Sequence, residues 1–324
     1  MDFLYMLFPV SGVETYIFIP PLVALVVSFF TSMGGVSGAF LLLPFQMSFL
    51  NFTTPSVSAT NFLYNIVAIP SGVYRFIKEG RMAWPLTMVV IIGTLPGVFI
   101  GYYLRILYLP DPRSFKLFVG CVLLFIGIRL LYEVTGKAAA GKSKMKELED
   151  KFKKRVEELK KDRQSKIAEG LPPEAIVKTK SFSFKKVEYT FWGETFSYST
   201  PGMFLLAFVV GIIGGTYGIG GGAIIAPFCV TVFHLPVYTV AGAALMGTFL
   251  TSIAGVFFYS VIPANNGAVN SPDWLLGFLF GIGGFIGMYF GARLQKFVPQ
   301  KAIKIILGAL IVYVSLRYII QFFM

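Results

Sequence analysis

The feature that most constrains this chain is a glycine-rich interruption that occurs twice within apolar, helix-like stretches. Ser32-Met33-Gly34-Gly35-Val36-Ser37-Gly38-Ala39 leads into an apolar run ending at Pro44. Thr216-Tyr217-Gly218-Ile219-Gly220-Gly221-Gly222-Ala223 leads into a second run ending at Pro227. Unwound backbone at membrane depth survives only when buried in protein or facing a water-filled cavity. A duplicated interruption therefore points to a transporter of two related halves, with a binding site where the breaks meet.

The chain is apolar enough for that reading. Hydrophobic residues make up 56% of it and the mean hydropathy is +0.73, and runs of about 20 residues with few charges are long enough to cross hydrocarbon as helix. The fold class expected is an all-α polytopic membrane protein, multi-pass in the cell membrane. Apolar segments fall at roughly 16–50, 55–77, 83–108, 114–134, 201–234, 236–262, 273–297 and 301–323. Met1 to Pro21 lacks the basic start of a cleavable signal peptide, so it reads as mature protein. Cys121 and Cys229 lack metal-ligand spacing and are expected to be buried packing residues.

The segments align as two homologous four-segment halves. Pro44 matches Pro227, Asn61 matches Ala244, Asn65 matches Thr248 and Gly72 matches Gly255. Further on, Trp84, Gly93, Gly97 and Gly101 match Trp274, Gly283, Gly287 and Gly291, and Gly120 and Arg129 match Gly308 and Arg317. The expected organisation is a first membrane repeat over 1–135, a basic soluble insert over 136–199 on the cytoplasmic side, and a second membrane repeat over 200–324.

The flanks of each break rise only about 20 Å as helix. Each first segment is therefore either one long broken span or a re-entrant pair of half-helices. Loop charge bears on the choice, because basic residues collect in cytoplasmic loops. Arg75, Lys78 and Arg81 follow the second segment, and Arg293, Lys296, Lys301 and Lys304 follow the seventh, whereas Pro263 to Asp273 has neither Lys nor Arg. This one-loop shift favours re-entrant hairpins and an inverted repeat with both termini outside. Arg105, Arg113 and Lys116 would then lie outside, against the rule. The net charge of +12 is accounted for by such loops and the insert, which argues against nucleic-acid binding. Within the insert, Lys142 to Glu169 has helical spacing and ends at Pro172-Pro173. Val187, Tyr189 and Phe191, then Phe196 and Tyr198 across Trp192-Gly193, suggest a β-hairpin.

Candidate substrate-binding residues are Ser37 and Gly38 in the first break, Gly220, Gly221 and Gly222 in the second, and Asn61, Asn65 and Thr248 in the polar-spotted segments that follow. Half-helices starting at the breaks would direct amide N–H groups and positive dipole ends at a small anion. Ser58, Asn61 and Asn65 share a helical face; their polar groups either donate to substrate or bond across helices. Gln46 and the Thr248, Thr251 and Ser252 set are of the same kind. Arg129 and Arg317 either snorkel or form an anion-attracting gate. No Walker loop, paired core carboxylates or metal cluster appears, so no enzyme activity, cofactor or metal is expected.

The two blocks, Gly34-Gly35-Val36-Ser37-Gly38-Ala39 with Pro44 and Gly218-Ile219-Gly220-Gly221-Gly222 with Pro227, resemble the signature of the sulfite exporter TauE/SafE family. The resemblance covers both membrane halves and not the insert. It implies secondary transport of small sulfur-containing anions: sulfite, thiosulfate, sulfoacetate or other organosulfonates. The alternatives are an anion channel-like pore and a membrane scaffold acting through its insert. The partners expected are the anionic substrate, the lipid bilayer and, in an oligomer, further copies of the chain.

Overall fold

The computed structural model describes residues 4–33, 37–78, 80–134, 176–264, 269–294 and 300–324. The expected helix over Lys142 to Glu169 lies outside the described residues, as do Gly34, Gly35 and Val36. A hairpin of β1 (Tyr5–Phe8) and β2 (Val13–Tyr16) precedes α1 (Ile19–Met33) and α2 (Ala39–Ser48). Next come α3 (Ser56–Ala68), α4 (Pro70–Lys78), α5 (Trp84–Tyr103) with a wide π turn over Leu104–Tyr108, and α6 (Pro112–Val134). A three-stranded antiparallel sheet follows, made of β3 (Lys178–Phe182), β4 (Lys186–Phe191) and β5 (Glu194–Ser199). The chain closes with α7 (Thr200–Tyr217), α8 (Gly222–Thr231), α9 (Val237–Val261), α10 (Trp274–Leu294) and α11 (Gln300–Phe323).

Among the described residues, six helices are long and apolar enough to cross a bilayer, and α1 and α2 are shorter apolar helices. The protein is a polytopic helical membrane protein. Its strands correct the all-α expectation at two places: the N-terminal hairpin and β3 were not legible, whereas the β4–β5 hairpin was. Trp192 and Gly193 both have positive φ, 54° and 73°, the conformation of a two-residue type I′ turn.

Helix contacts run through glycines. Gly93, Gly97 and Gly101 of α5 lie against the carbonyls of Phe204, Phe208 and Ile212 of α7. Gly283, Gly287 and Gly291 of α10 lie against those of Pro21, Leu25 and Phe29 of α1 in the same way. Any Cβ on these stripes would meet backbone, so small residues bring the axes together and let dispersion act over the whole length. Both pairs are parallel. α3–α4 lies antiparallel to α9, with Gly255 at Phe62, Gly72 at Leu245 and Gly242 at Phe76. α9 runs parallel to α5, since Gly247 meets Val90 while the rings of Phe258 and Tyr259 meet Phe99 and Tyr102. α10 runs parallel to α3, with Gly277 at Leu63 and Gly281 at Val67.

Taking α5 as pointing up, α7 and α9 point up, and α1, α3–α4 and α10 point down. α6 starts where α5 ends, and α11 packs against it in the opposite sense, with Gly120 beside Tyr318 and Gly308 beside Leu131. Because α1 and α3 point the same way, α2 must return the chain to the upper end. α8 likewise returns it to the lower end.

Each end is tied down. At the top, Asp273 caps α10 by accepting from the Leu276 N–H at 3.1 Å. It also accepts from the Ser11 N–H and hydroxyl at 3.0 and 2.8 Å, which docks the N-terminal hairpin. Arg105 is completely buried there, donating to the carbonyls of Leu109 and Thr53 with its guanidinium 3.7 Å over the Phe115 ring. It closes the π turn rather than reporting which side of the membrane it lies on. At the bottom, the sheet is held by Val177 N–H to the Gly80 carbonyl (3.0 Å), by Tyr189 to Thr239 (2.8 Å) and by the Tyr198 ring against Phe233. Burial pushes the phenol pKa values of Tyr189 and Tyr198 up, so both stay neutral. Cys229 is buried against Met203, but Cys121 is exposed on α6, contrary to expectation.

Candidate functional site

The second interruption is fully described. α7 ends where Gly218 turns left-handed at φ 87°; Ile219 follows, then Gly220 at φ 76°, and α8 starts after Gly221. Two positive-φ residues within three positions are tolerated by glycine and strained for any other residue. The third glycine has a different reason. A Cβ at Gly222 would lie 1.7 Å from the Ala244 carbonyl oxygen, so α8 can start against α9 only if that position has no side chain. In the first interruption α1 stops at Met33 and α2 starts after Gly38.

Both breaks converge on two asparagines of α3. Asn61 donates from Nδ2 to the Ala39 carbonyl at the start of α2 and to the Gly218 carbonyl in the other break, each at 3.0 Å. Asn65 donates to the Ile219 carbonyl at 3.2 Å and accepts from the Ser37 hydroxyl at 2.7 Å. Ser37, Asn61 and Asn65 are at most 1% exposed. The Gly218 and Ile219 carbonyls, released by unwinding, would otherwise lack a donor in the protein interior, where each unpaired group costs about 1–3 kcal/mol. Of the two roles open to the α3 polar face, bonding across helices is the one observed. Asn61 has committed both its N–H bonds.

The structure brings together Ser37, Gly38, Asn61, Asn65, Gly220, Gly221, Gly222 and Thr248. Thr248 lies against Gly220 and Gly222 on α9, its hydroxyl donating back to the Ala244 carbonyl at 2.9 Å. Gly38 faces the Tyr64 hydroxyl, which is 2.7 Å from Ser28. Gln46 reaches Asn61 at 3.4 Å while its Oε1 is buried without a partner among the described residues. Three contributors outside the expected set join the cluster: Thr94 against Gly221, Tyr217 donating to the Phe40 carbonyl at 2.8 Å, and Ser252 against Gly220. Ser252 is fully buried and its hydroxyl oxygen has no hydrogen-bond partner among the described residues.

The two arginines part company. Arg129 donates to the Pro227 carbonyl of α8 at 2.9 Å and lies 4.9 Å over the Phe228 ring. Arg317 is exposed. Its neighbour Tyr318 instead donates to the Pro44 carbonyl of α2 at 3.1 Å, and its hydroxyl lies 2.7 Å from that of Ser48. α6 therefore pins the proline turn of α8 and α11 that of α2, with a guanidinium below and a phenol above. Neither arginine touches the asparagine cluster.

Crossing helices around two interrupted ones, with buried polar groups gathered at the interruptions, define a polytopic membrane transport protein rather than an enzyme. The chain belongs to the sulfite exporter TauE/SafE family, whose profile matches residues 21–318. The probable membrane transporter protein YunE of Bacillus subtilis (strain 168) is 24% identical over 297 residues, covering 90% of this chain and 92% of that protein. The probable membrane transporter protein YdhB of the same organism is 27% identical over 121 residues, 37% of this chain and 46% of its own. The probable membrane transporter protein MJ0441 of Methanocaldococcus jannaschii is 29% identical over 118 residues, 35% of this chain and 42% of its own. No solved structure is a significant match.

Proposed function

We propose that this protein is a secondary transporter of the cell membrane that carries a small sulfur-containing anion, such as sulfite, thiosulfate, sulfoacetate or another organosulfonate. The anion binds between the start of α2 and the start of α8. One observation carries the reading: the start of α2 and the unwound residues between α7 and α8 meet on the same two buried asparagines. Each helix start offers about half a positive charge. Two together supply about one, suited to a monoanion without a buried lysine or arginine. With Asn61 occupied by carbonyls, the donors left for the guest are first-turn amides at Gly221 and Gly222 and the hydroxyl of Ser252.

The opposed directions of α1 and α7, of α3–α4 and α9, and of α5 and α10 support an inverted repeat. In such a repeat the re-entrant pair α1–α2 closes from above and α7–α8 from below. Alternating access then consists of freeing one half-helix at a time from its proline pin.

Liposome flux tests this. Saturable uptake of radiolabelled sulfite or thiosulfate with counter-flow is expected, together with a weaker apparent affinity in Ser252→Ala, which removes a hydroxyl without adding volume. Ohmic currents would replace the carrier by a pore. Well-folded protein without flux or thermal stabilisation by any of these anions would overturn the proposal.

A further inference from the structure

We propose that the loop between β3 and β4 is a membrane anchor that binds anionic phospholipid headgroups on the face where α7 enters the bilayer. Residues 178–186 read Lys-Thr-Lys-Ser-Phe-Ser-Phe-Lys-Lys, and all nine are exposed. Phe182 is 58% exposed and Phe184 95%. An aromatic ring that bare is ill suited to water but suited to the headgroup–acyl boundary, where an amphipathic segment buries its apolar side chains. Four lysines flank the rings without an acidic residue in the nine. Lys186 is drawn off to Glu188 at 2.8 Å.

The loop's position is fixed by hydrogen bonds. Thr200, the first residue of α7, donates its N–H to the Lys185 carbonyl at 3.2 Å and its hydroxyl to the Ser183 carbonyl at 2.7 Å. α7 is an apolar helix that enters the bilayer from Thr200 onwards, and its outward residues Phe204 and Leu205 are 41% and 63% exposed. The loop tip is thus strapped to the point where a lipid-facing helix starts. It shares that end of the molecule with Gly80, whose carbonyl accepts from the Val177 N–H. Charge complementarity selects the occupant. A basic, aromatic loop at headgroup level meets phosphates of anionic lipid, and each lysine near such a surface contributes about 1 kcal/mol, roughly fivefold in partitioning.

The test uses full-length protein in vesicles, with Cys121→Ser and Cys229→Ala as background and a nitroxide on Phe184→Cys. A second label on Thr195→Cys, at the far turn of the sheet, reports water. In phosphatidylglycerol-containing vesicles the label at 184 should be reached by oxygen in preference to a water-soluble nickel chelate, and the label at 195 the reverse. Lys180→Gln with Lys185→Gln should lower the ratio of inserted to water-exposed label about 25-fold, two lysines at about fivefold each. Equal chelate access at 184 and 195 in every vesicle would overturn the proposal and leave the aromatic pair for a protein partner. So would insertion that is the same in pure phosphatidylcholine and indifferent to the lysines.

Discussion

Replacing Asn61 by alanine tests the hinge between the halves most directly. The side chain is fully buried, and its Nδ2 serves the Ala39 and Gly218 carbonyls at 3.0 Å each. Truncation deprives the buried Gly218 carbonyl of its donor, while the Ala39 carbonyl keeps its bond within α2, so the loss is about 1–3 kcal/mol. The contact from Gln46 at 3.4 Å is too long to add much. Against a total stability of about 5–15 kcal/mol, this is a measurable part of the folded-state margin. Ser58→Ala is the matched control on the same face. Its hydroxyl reaches the Thr216 carbonyl at only 3.3 Å, and its loss should cost under about 1 kcal/mol. Denaturant titration of both purified variants in one detergent, followed by circular dichroism, measures the difference. If Asn61→Ala unfolds within about 1 kcal/mol of the parent, the unwound carbonyls do not depend on that amide and the bridging argument fails.

The two proline pins should differ. Arg129→Gln, which loses a charged donor to Pro227, is expected to destabilise more than Tyr318→Phe, which loses a neutral one to Pro44, by about twofold. Arg317→Gln should stay within about 0.5 kcal/mol in the same titration. Gly222→Ala should abolish folded protein in a size-exclusion assay, because its Cβ would meet the Ala244 oxygen, whereas Gly12→Ala, with nothing within 4 Å, should yield folded protein. Asp111 caps α6, and the Ser114 N–H and hydroxyl hold its carboxyl below the usual carboxylate range. A depressed folded-state pKa stabilises above the unfolded value of about 3.9 and loses that contribution as pH falls through the folded one. Asp111→Asn should therefore match the parent's stability more closely below about pH 4 than at pH 7, as thermal melts at the two pH values would show.

Glycine spacing made much of this legible. The repeats at Gly93, Gly97, Gly101 and at Gly283, Gly287, Gly291 turned out to be the two stripes on which the first helix of each half rests. The breaks, too, lie where the glycines are. What could not be read was the other end of each polar bond. Asn61 and Asn65 carry no mark that their partners are carbonyls near residue 218, because that pairing arises only when two interruptions meet in space. The match of Arg129 to Arg317 does not carry over to their contacts for a related reason: Arg129 bonds the Pro227 carbonyl, whereas on α11 the residue that bonds the Pro44 carbonyl is Tyr318, one along. Strands of four residues such as β1 and β2 hold too little alternation to stand out among apolar neighbours.

Were the two pins chemically alike, exchanging the parts played by the halves would cost nothing, and neither facing of the protein would be preferred. They are unlike: one tether carries a formal charge under an aromatic ring and the other is a neutral hydroxyl. Under the alternating access proposed above, loosening the lower pin would rehydrate an ion, while loosening the upper one would not. Directionality would then be written into a single swap between the arms rather than into the cargo cavity, and ionic strength and membrane voltage would act on one gate only.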